Sequence, residues 1–106
     1  MIPVTVAARH CDIQTDLRAR AEVIARRLAH ITPFAREASV IFDAGPKNGL
    51  VELRLHLAGG RILVAGAEAT EHRTALDLAE GRLRRQLERP TARARRRGRV
   101  RGVARA

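Results

Sequence analysis

The sequence predicts an α+β domain of order β-α-β-β-β-α, a four-stranded mixed sheet with two helices packed on one face. Three observations predict it. Residues 16–31 and 70–89 each repeat apolar residues at the three- and four-residue spacing of a single helix face. Residues 50–58 alternate apolar and polar side chains at period two, as a half-buried strand does. Gly59-Gly60 follows that strand and precedes a second β-rich stretch, where a tight reversal belongs.

Residues 2–9 form the first strand, with Ile2, Val4, Val6 and Ala8 on one side. Pro3 is tolerated near the start of an edge strand. His10-Cys11-Asp12 makes a turn, and Thr15 or Asp16 caps a helix over 16–31. Leu17, Ala21, Ile24, Leu28 and Ile31 are its apolar stripe. Arg20 and Arg27 share one flank, Arg18 and Arg26 point elsewhere, and Pro33 stops the helix. Residues 37–44 are the second strand, with Val40 and Phe42 inward. Gly45-Pro46-Lys47-Asn48-Gly49 holds turn formers and reads as a loop. In the next strand Val51, Leu53, Leu55 and Leu57 face in, while Glu52, Arg54 and His56 face out. Gly59-Gly60 is a two-residue hairpin turn, and 61–69 return with Ile62 and Val64 inward.

The last helix, 70–89, opens at Thr70 and is ended by Pro90. Leu76, Ala79, Leu83 and Leu87 form its apolar stripe, and Arg82, Arg85 and Arg89 a neighbouring basic one. Gly81 weakens it by roughly 1 kcal/mol relative to Ala. A right-handed crossover makes the first two strands parallel, and hairpins make the rest antiparallel. Both apolar stripes need cover, so both helices take one face of the sheet.

A chain of 106 residues holds one domain. We assign residues 1–90 to it, and 91–106 to an Arg-rich tail without apolar periodicity, disordered on its own. The net charge of +10 is unevenly spread. Residues 1–92 hold 14 Lys/Arg against all 11 acids, whereas 93–106 hold seven Arg and no acid. That asymmetry points to nucleic acid or an anionic membrane surface, and the lack of a bulky apolar face beside the arginines disfavours the membrane. Arg suits bidentate phosphate contact, although a GC-rich genome also produces such a bias. A lone Cys11 excludes an internal disulfide framework and fits the cytoplasm. No apolar run reaches a membrane span, and the N-terminus does not read as a signal peptide.

His10-Cys11-Asp12 has the residue types of a nucleophile triad, but adjacent residues rarely converge on one atom. The spacing of the His residues and the single Cys fits no metal site. Gly59-Gly60 lacks the Lys-Ser/Thr of a phosphate loop. The pattern implies no enzyme, no cofactor and no small-molecule substrate. Binding is the better reading. Arg20 and Arg27 of the first helix should lie beside Arg82, Arg85 and Arg89 of the second, forming one basic surface. Arg93, Arg95, Arg96 and Arg97 extend it into the tail, where phosphate binding would be strongly salt-dependent. With two Phe and no Tyr or Trp, there is little platform for base stacking, so phosphate contact on folded RNA is favoured.

Several of these segments resemble one family. Ala75-Leu76-Asp77 with Arg82-Leu83-Arg84-Arg85-Gln86-Leu87 resembles the closing helix of the ribosome hibernation promoting factors, also called ribosome-associated inhibitors, ribosomal subunit interface proteins or sigma-54 modulation proteins. Leu55-His56-Leu57-Ala58-Gly59-Gly60 with Ile62 resembles that family's third and fourth strands. Asp12-Ile13 and Asp16-Leu17-Arg18 resemble the opening of its first helix. The resemblance implies a fold similar to double-stranded-RNA-binding domains. It implies a translation inhibitor that occupies the decoding channel of the small ribosomal subunit, contacts 16S rRNA and stabilises idle 70S ribosomes. The rRNA contacts of the family fall by position on Arg82 and Arg85, and on Arg27 and Arg89. Ile24 stands where the family usually has a basic residue. The length resembles the short form, without the domain that pairs ribosomes.

Overall fold

A computed structural model describes residues 2–88. Strand β1 (Val4–Ala8) leads through helix α1 (Thr15–Ile31) to β2 (Ala35–Gly45). Strands β3 (Asn48–Leu57) and β4 (Ile62–Ala69) follow, and helix α2 (His72–Glu88) closes the domain. The sheet order is β1-β2-β3-β4, with β1 parallel to β2 and the other pairs antiparallel. The predicted architecture is therefore the observed one.

One core joins all the layers. The sheet contributes Val40, Phe42, Val51, Leu53 and Leu55. Helix α1 adds Leu17, Ala21, Ile24 and Leu28 from above β1 and β2. Helix α2 adds Ala75, Leu76, Ala79 and Leu83 from above β3 and β4. Only one face of the sheet is covered among the described residues, so each strand alternates between core and solvent.

Four local expectations are corrected. In β4, Ile62 and Val64 point outward, 49% and 41% exposed, while Leu63, Ala65 and Ala67 turn to the core. Residues directly opposite share a face, and β3 sets Leu55 against Leu63, Leu53 against Ala65 and Val51 against Ala67. Side-chain bulk suggested the other phase, but a one-residue shift of register inverts every side chain. Ile31 is 48% exposed at the last residue of α1, where the helix ends and Thr32 takes the buried position. The two reversals also exchange character. Gly45 pairs with Asn48, so only Pro46 and Lys47 bridge β2 and β3, with Asn48 in the left-handed region at φ 85°. The β3–β4 connection is a three-residue 3-10 turn, Ala58–Gly60, in which both glycines have positive φ. Finally, the helices start off their expected caps. Gln14 is the N-cap of α1 without a side-chain capping bond, and α2 begins at His72, past Thr70. Asp16 still accepts the Leu17 N–H in the first turn of α1.

Both sheet edges are closed by helix side chains. Alternate carbonyls of an edge strand point away from the sheet and invite another strand. Arg18 and Arg26 of α1 donate to Val6 and Ile2 carbonyls beside β1, at 2.8 and 3.3 Å. Arg82 and Gln86 of α2 donate to Gly66 and Val64 carbonyls of β4, at 2.6 and 2.8 Å. Gly49 marks another close approach: a Cβ there would lie 2.7 Å from the Glu71 backbone, where the chain enters α2.

Two outcomes follow for stability. Gly81→Ala meets only the Arg85 side chain at ordinary contact distance, 3.6 Å. It should raise unfolding free energy by about 0.5–1 kcal/mol in a denaturant titration. Ala67→Lys should abolish cooperative thermal unfolding, whereas Val64→Lys should leave it nearly unchanged. The opposite ranking would mean that β4 carries the other phase.

Candidate nucleic-acid interface

The arginines of the two helices do not form one stripe. Arg20 of α1 donates to Asp77 of α2 at 2.8 Å, and Arg73 of α2 donates to Asp16 of α1 at 3.1 Å. Both pairs join residues 57 apart in the chain, so the helices run parallel in matched turns. The flank of α2 facing α1 thus carries Arg73, Asp77, Glu80 and Arg84, and Arg84 bonds Glu80 one turn back. Arg82 sits roughly 160° around the helix from both Glu80 and Arg84, on the flank above β4. Arg85, about 60° from Arg82 and about 100° from Arg84, points away from the sheet on the solvent side of α2. The groove between the helices is a mixed-charge seam, while Arg82 reaches over the fourth strand.

The individual arginines differ in what they already hold. Arg20 is tied to Asp77, whose hydrogen bond raises the guanidinium pKa further above its ordinary value. Arg82 spends one N–H on Gly66 and keeps its other donors toward solvent. Arg27 and Arg85 are exposed and make no hydrogen bond or ion pair among the described residues. Continuing the matched turns, Arg27 stands level with Arg84 near the C-terminal ends of both helices. Arg89, Arg93, Arg95, Arg96 and Arg97 lie outside the described residues.

Parallel helices bring several exposed groups to one end of the domain. The α1–β2 corner, the 3-10 turn and the C-terminal turns of both helices meet there. Arg36 and Arg61 are exposed at this end, and periodicity did not single them out because each borders a turn. Phe34 is 79% exposed beside them. The signal that marks it in sequence is its place directly after Pro33, outside every apolar stripe.

The opposite end is polar and partly acidic. His10 donates from Nδ1 to Asp43 Oδ1 at 3.1 Å, and His72 donates from Nε2 to the Asp43 carbonyl at 2.8 Å. The His72 ring meets Phe42 edge to face, with centroids 5.7 Å apart. Burial, then the Asp43 charge, pushes the Cys11 thiol up, which makes it a poor nucleophile at neutral pH. Among the described residues no group of three or more His, Cys, Asp or Glu could hold a metal ion. No described helix is long and apolar enough to cross a membrane.

The model of the family "Sigma 54 modulation protein / S30EA ribosomal protein" matches residues 4–95. The chain belongs to that family. It is the family of ribosome hibernation factors, whose members bind ribosomes and regulate translation. Several solved structures share its fold, two of which illustrate it. A ribosomal subunit interface protein from Coxiella burnetii superposes with a TM-score of 0.72 at 23% identity, covering 86% of this chain and 99% of that one. The N-terminal domain of Thermus thermophilus Protein Y superposes with a TM-score of 0.67 at 24% identity, covering 84% and 98%. No curated protein matches the chain.

The polar end offers a check on the local electrostatics. The His10 hydrogen bond, followed by the Ala44 N–H, holds the Asp43 carboxyl below the ordinary carboxylate value of 3.8. A depressed carboxylate contributes stability above its unfolded pKa and loses it as pH falls through its folded one. His10→Ala should therefore move the Asp43 carboxyl upward in an NMR titration and flatten the stability loss below pH 3.8. An unmoved Asp43 titration would show that His10 does not set it.

Proposed function

We propose that the protein is a non-enzymatic hibernation factor of the cytoplasm. It binds the small ribosomal subunit through phosphates of 16S rRNA, occupies the decoding channel and holds idle 70S ribosomes out of translation. Family membership over residues 4–95 is the observation that carries this reading. The distribution of arginines supports it, because guanidinium groups on rigid helices are suited to bidentate phosphate contact.

Arg27 and Arg85 make the leading contacts, since neither has to leave a partner among the described residues. Arg82 contributes its remaining donors while it stays on the β4 edge. Arg20 can join by exchanging Asp77 for a phosphate, because an ion pair between half-exposed side chains is weak. The domain is residues 1–90. Arg89 and the tail arginines Arg93, Arg95, Arg96 and Arg97 add a salt-sensitive anchor.

Co-sedimentation with 70S ribosomes and separated subunits, across a salt series and with excess duplex RNA, tests the proposal. We expect about one copy per small subunit, retained against the duplex competitor. Complete loss to the competitor would leave a general structured-RNA binder instead. Absence of binding at low salt would point to a protein partner in transcription. Arg82→Glu with Arg85→Glu should reduce binding at least a hundredfold while the melt stays cooperative. A folded double variant that binds normally would remove these residues from the interface.

A further inference from the structure

Among the described residues the most exposed large apolar side chain is also held in an uncommon backbone conformation. Phe34 is 79% exposed, at φ 65° in the left-handed region that bulky residues rarely adopt. Its backbone is fastened on both sides. The Phe34 carbonyl accepts the Ala58 N–H from the 3-10 turn at 2.9 Å, and the Ala35 N–H bonds the Thr32 carbonyl at 3.3 Å. Thr32, buried at the end of α1, anchors the corner through its hydroxyl to Leu28. The ring therefore projects from a rigid site.

The core does not need this ring. Phe42, the other aromatic, is fully buried, whereas Phe34 lies outside the core cluster. The neighbouring surface is low: Gly59 and Gly60 have open space where a Cβ would stand. The surroundings are basic, with Arg36 and Arg61 exposed and Glu37 the sole acid in residues 31–37 and 57–63. A flat aromatic face among guanidinium groups, beside an unobstructed turn, matches an unpaired base with its flanking phosphates.

We infer that Phe34 is a stacking platform for an unpaired nucleobase of RNA, with Arg36 and Arg61 receiving the adjoining phosphates. This deepens the ribosome-binding reading and rests on it for the identity of the RNA. It replaces the expectation, drawn from composition, that the chain has little platform for a base.

The chain contains no Trp or Tyr, so Phe34→Trp installs a single fluorescent reporter. Phe34→Ala should weaken binding to isolated small subunits about tenfold, the order carried by one base–aromatic stack. Phe34→Trp should retain the affinity, and its emission should be quenched on binding. A single-stranded oligoribonucleotide should quench it far more than the same strand in a duplex. Thermal melts of both variants should match the parent, since the ring is exposed. Unchanged affinity in Phe34→Ala overturns the inference. So does a bound Phe34→Trp whose emission shifts to the blue without quenching, which signals an apolar protein pocket. If the parent chain itself fails to bind small subunits, the ribosome reading falls and the oligonucleotide decides. Preferential quenching by the single strand then keeps the stack, and equal or absent quenching ends it.

Discussion

Everything in this domain depends on one shared layer of aliphatic contact between two helices and one sheet face. Both helices pack on one face of the sheet, so the core is a single layer between them and that face. Its eight largest fully buried side chains come from β2, β3, α1 and α2. Each removes on the order of 1.5–3 kcal/mol of apolar surface from water. That layer places α1 over the parallel pair and α2 over the antiparallel one. It also leaves the other sheet face to solvent, where the Glu52–Arg54 pair at 2.8 Å stands among Ile41, Ile62 and Val64. Polar groups are then kept outside the layer, with Thr32 the one buried polar residue among those described.

Arginine does two kinds of work around the layer. Arg18, Arg26 and Arg82 reach from the helices to edge-strand carbonyls, which closes both edges against further strand pairing. Arg20, Arg73 and Arg84 sit in the seam of opposite charge on and between the helices. Such exposed pairs contribute little to stability, and the parallel direction of α1 and α2 follows from the order of strands beneath them. On the helices Arg27 and Arg85 remain for a partner, and beside the turns Arg36 and Arg61.

Parallel helices have a second consequence. Both carbonyl ends, each with partial negative charge, face the same end of the molecule. Basic residues there complement the helix dipoles and remain available to phosphate. The same end carries Phe34 and the open glycine turn. The pairing of β2 with β3 brings the Phe34 corner to the glycine turn, and helix direction sets the C-terminal turns of α1 and α2 at that same end.

The sequence by itself determined the order of elements, the parallel crossover and the faces of α1, β2, β3 and α2. Those segments carry strong periodicity, and periodicity is a local property that burial simply reads out. The basic character of the closing helix was legible for the same reason. What only the tertiary structure decided was relative placement. β4 has small residues inward, Ala65 and Ala67, and larger ones outward, Ile62 and Val64, so only its register against β3 reveals its phase. Arg82 lies on the flank of α2 away from α1, held to β4, because the side on which a neighbouring helix packs is not encoded in the spacing of one helix. Phe34 belongs to no periodic stripe, and only the hydrogen-bonded corner between α1 and β2 shows it standing in solvent. Each of these depends on contacts between residues far apart in the chain, which no local pattern contains.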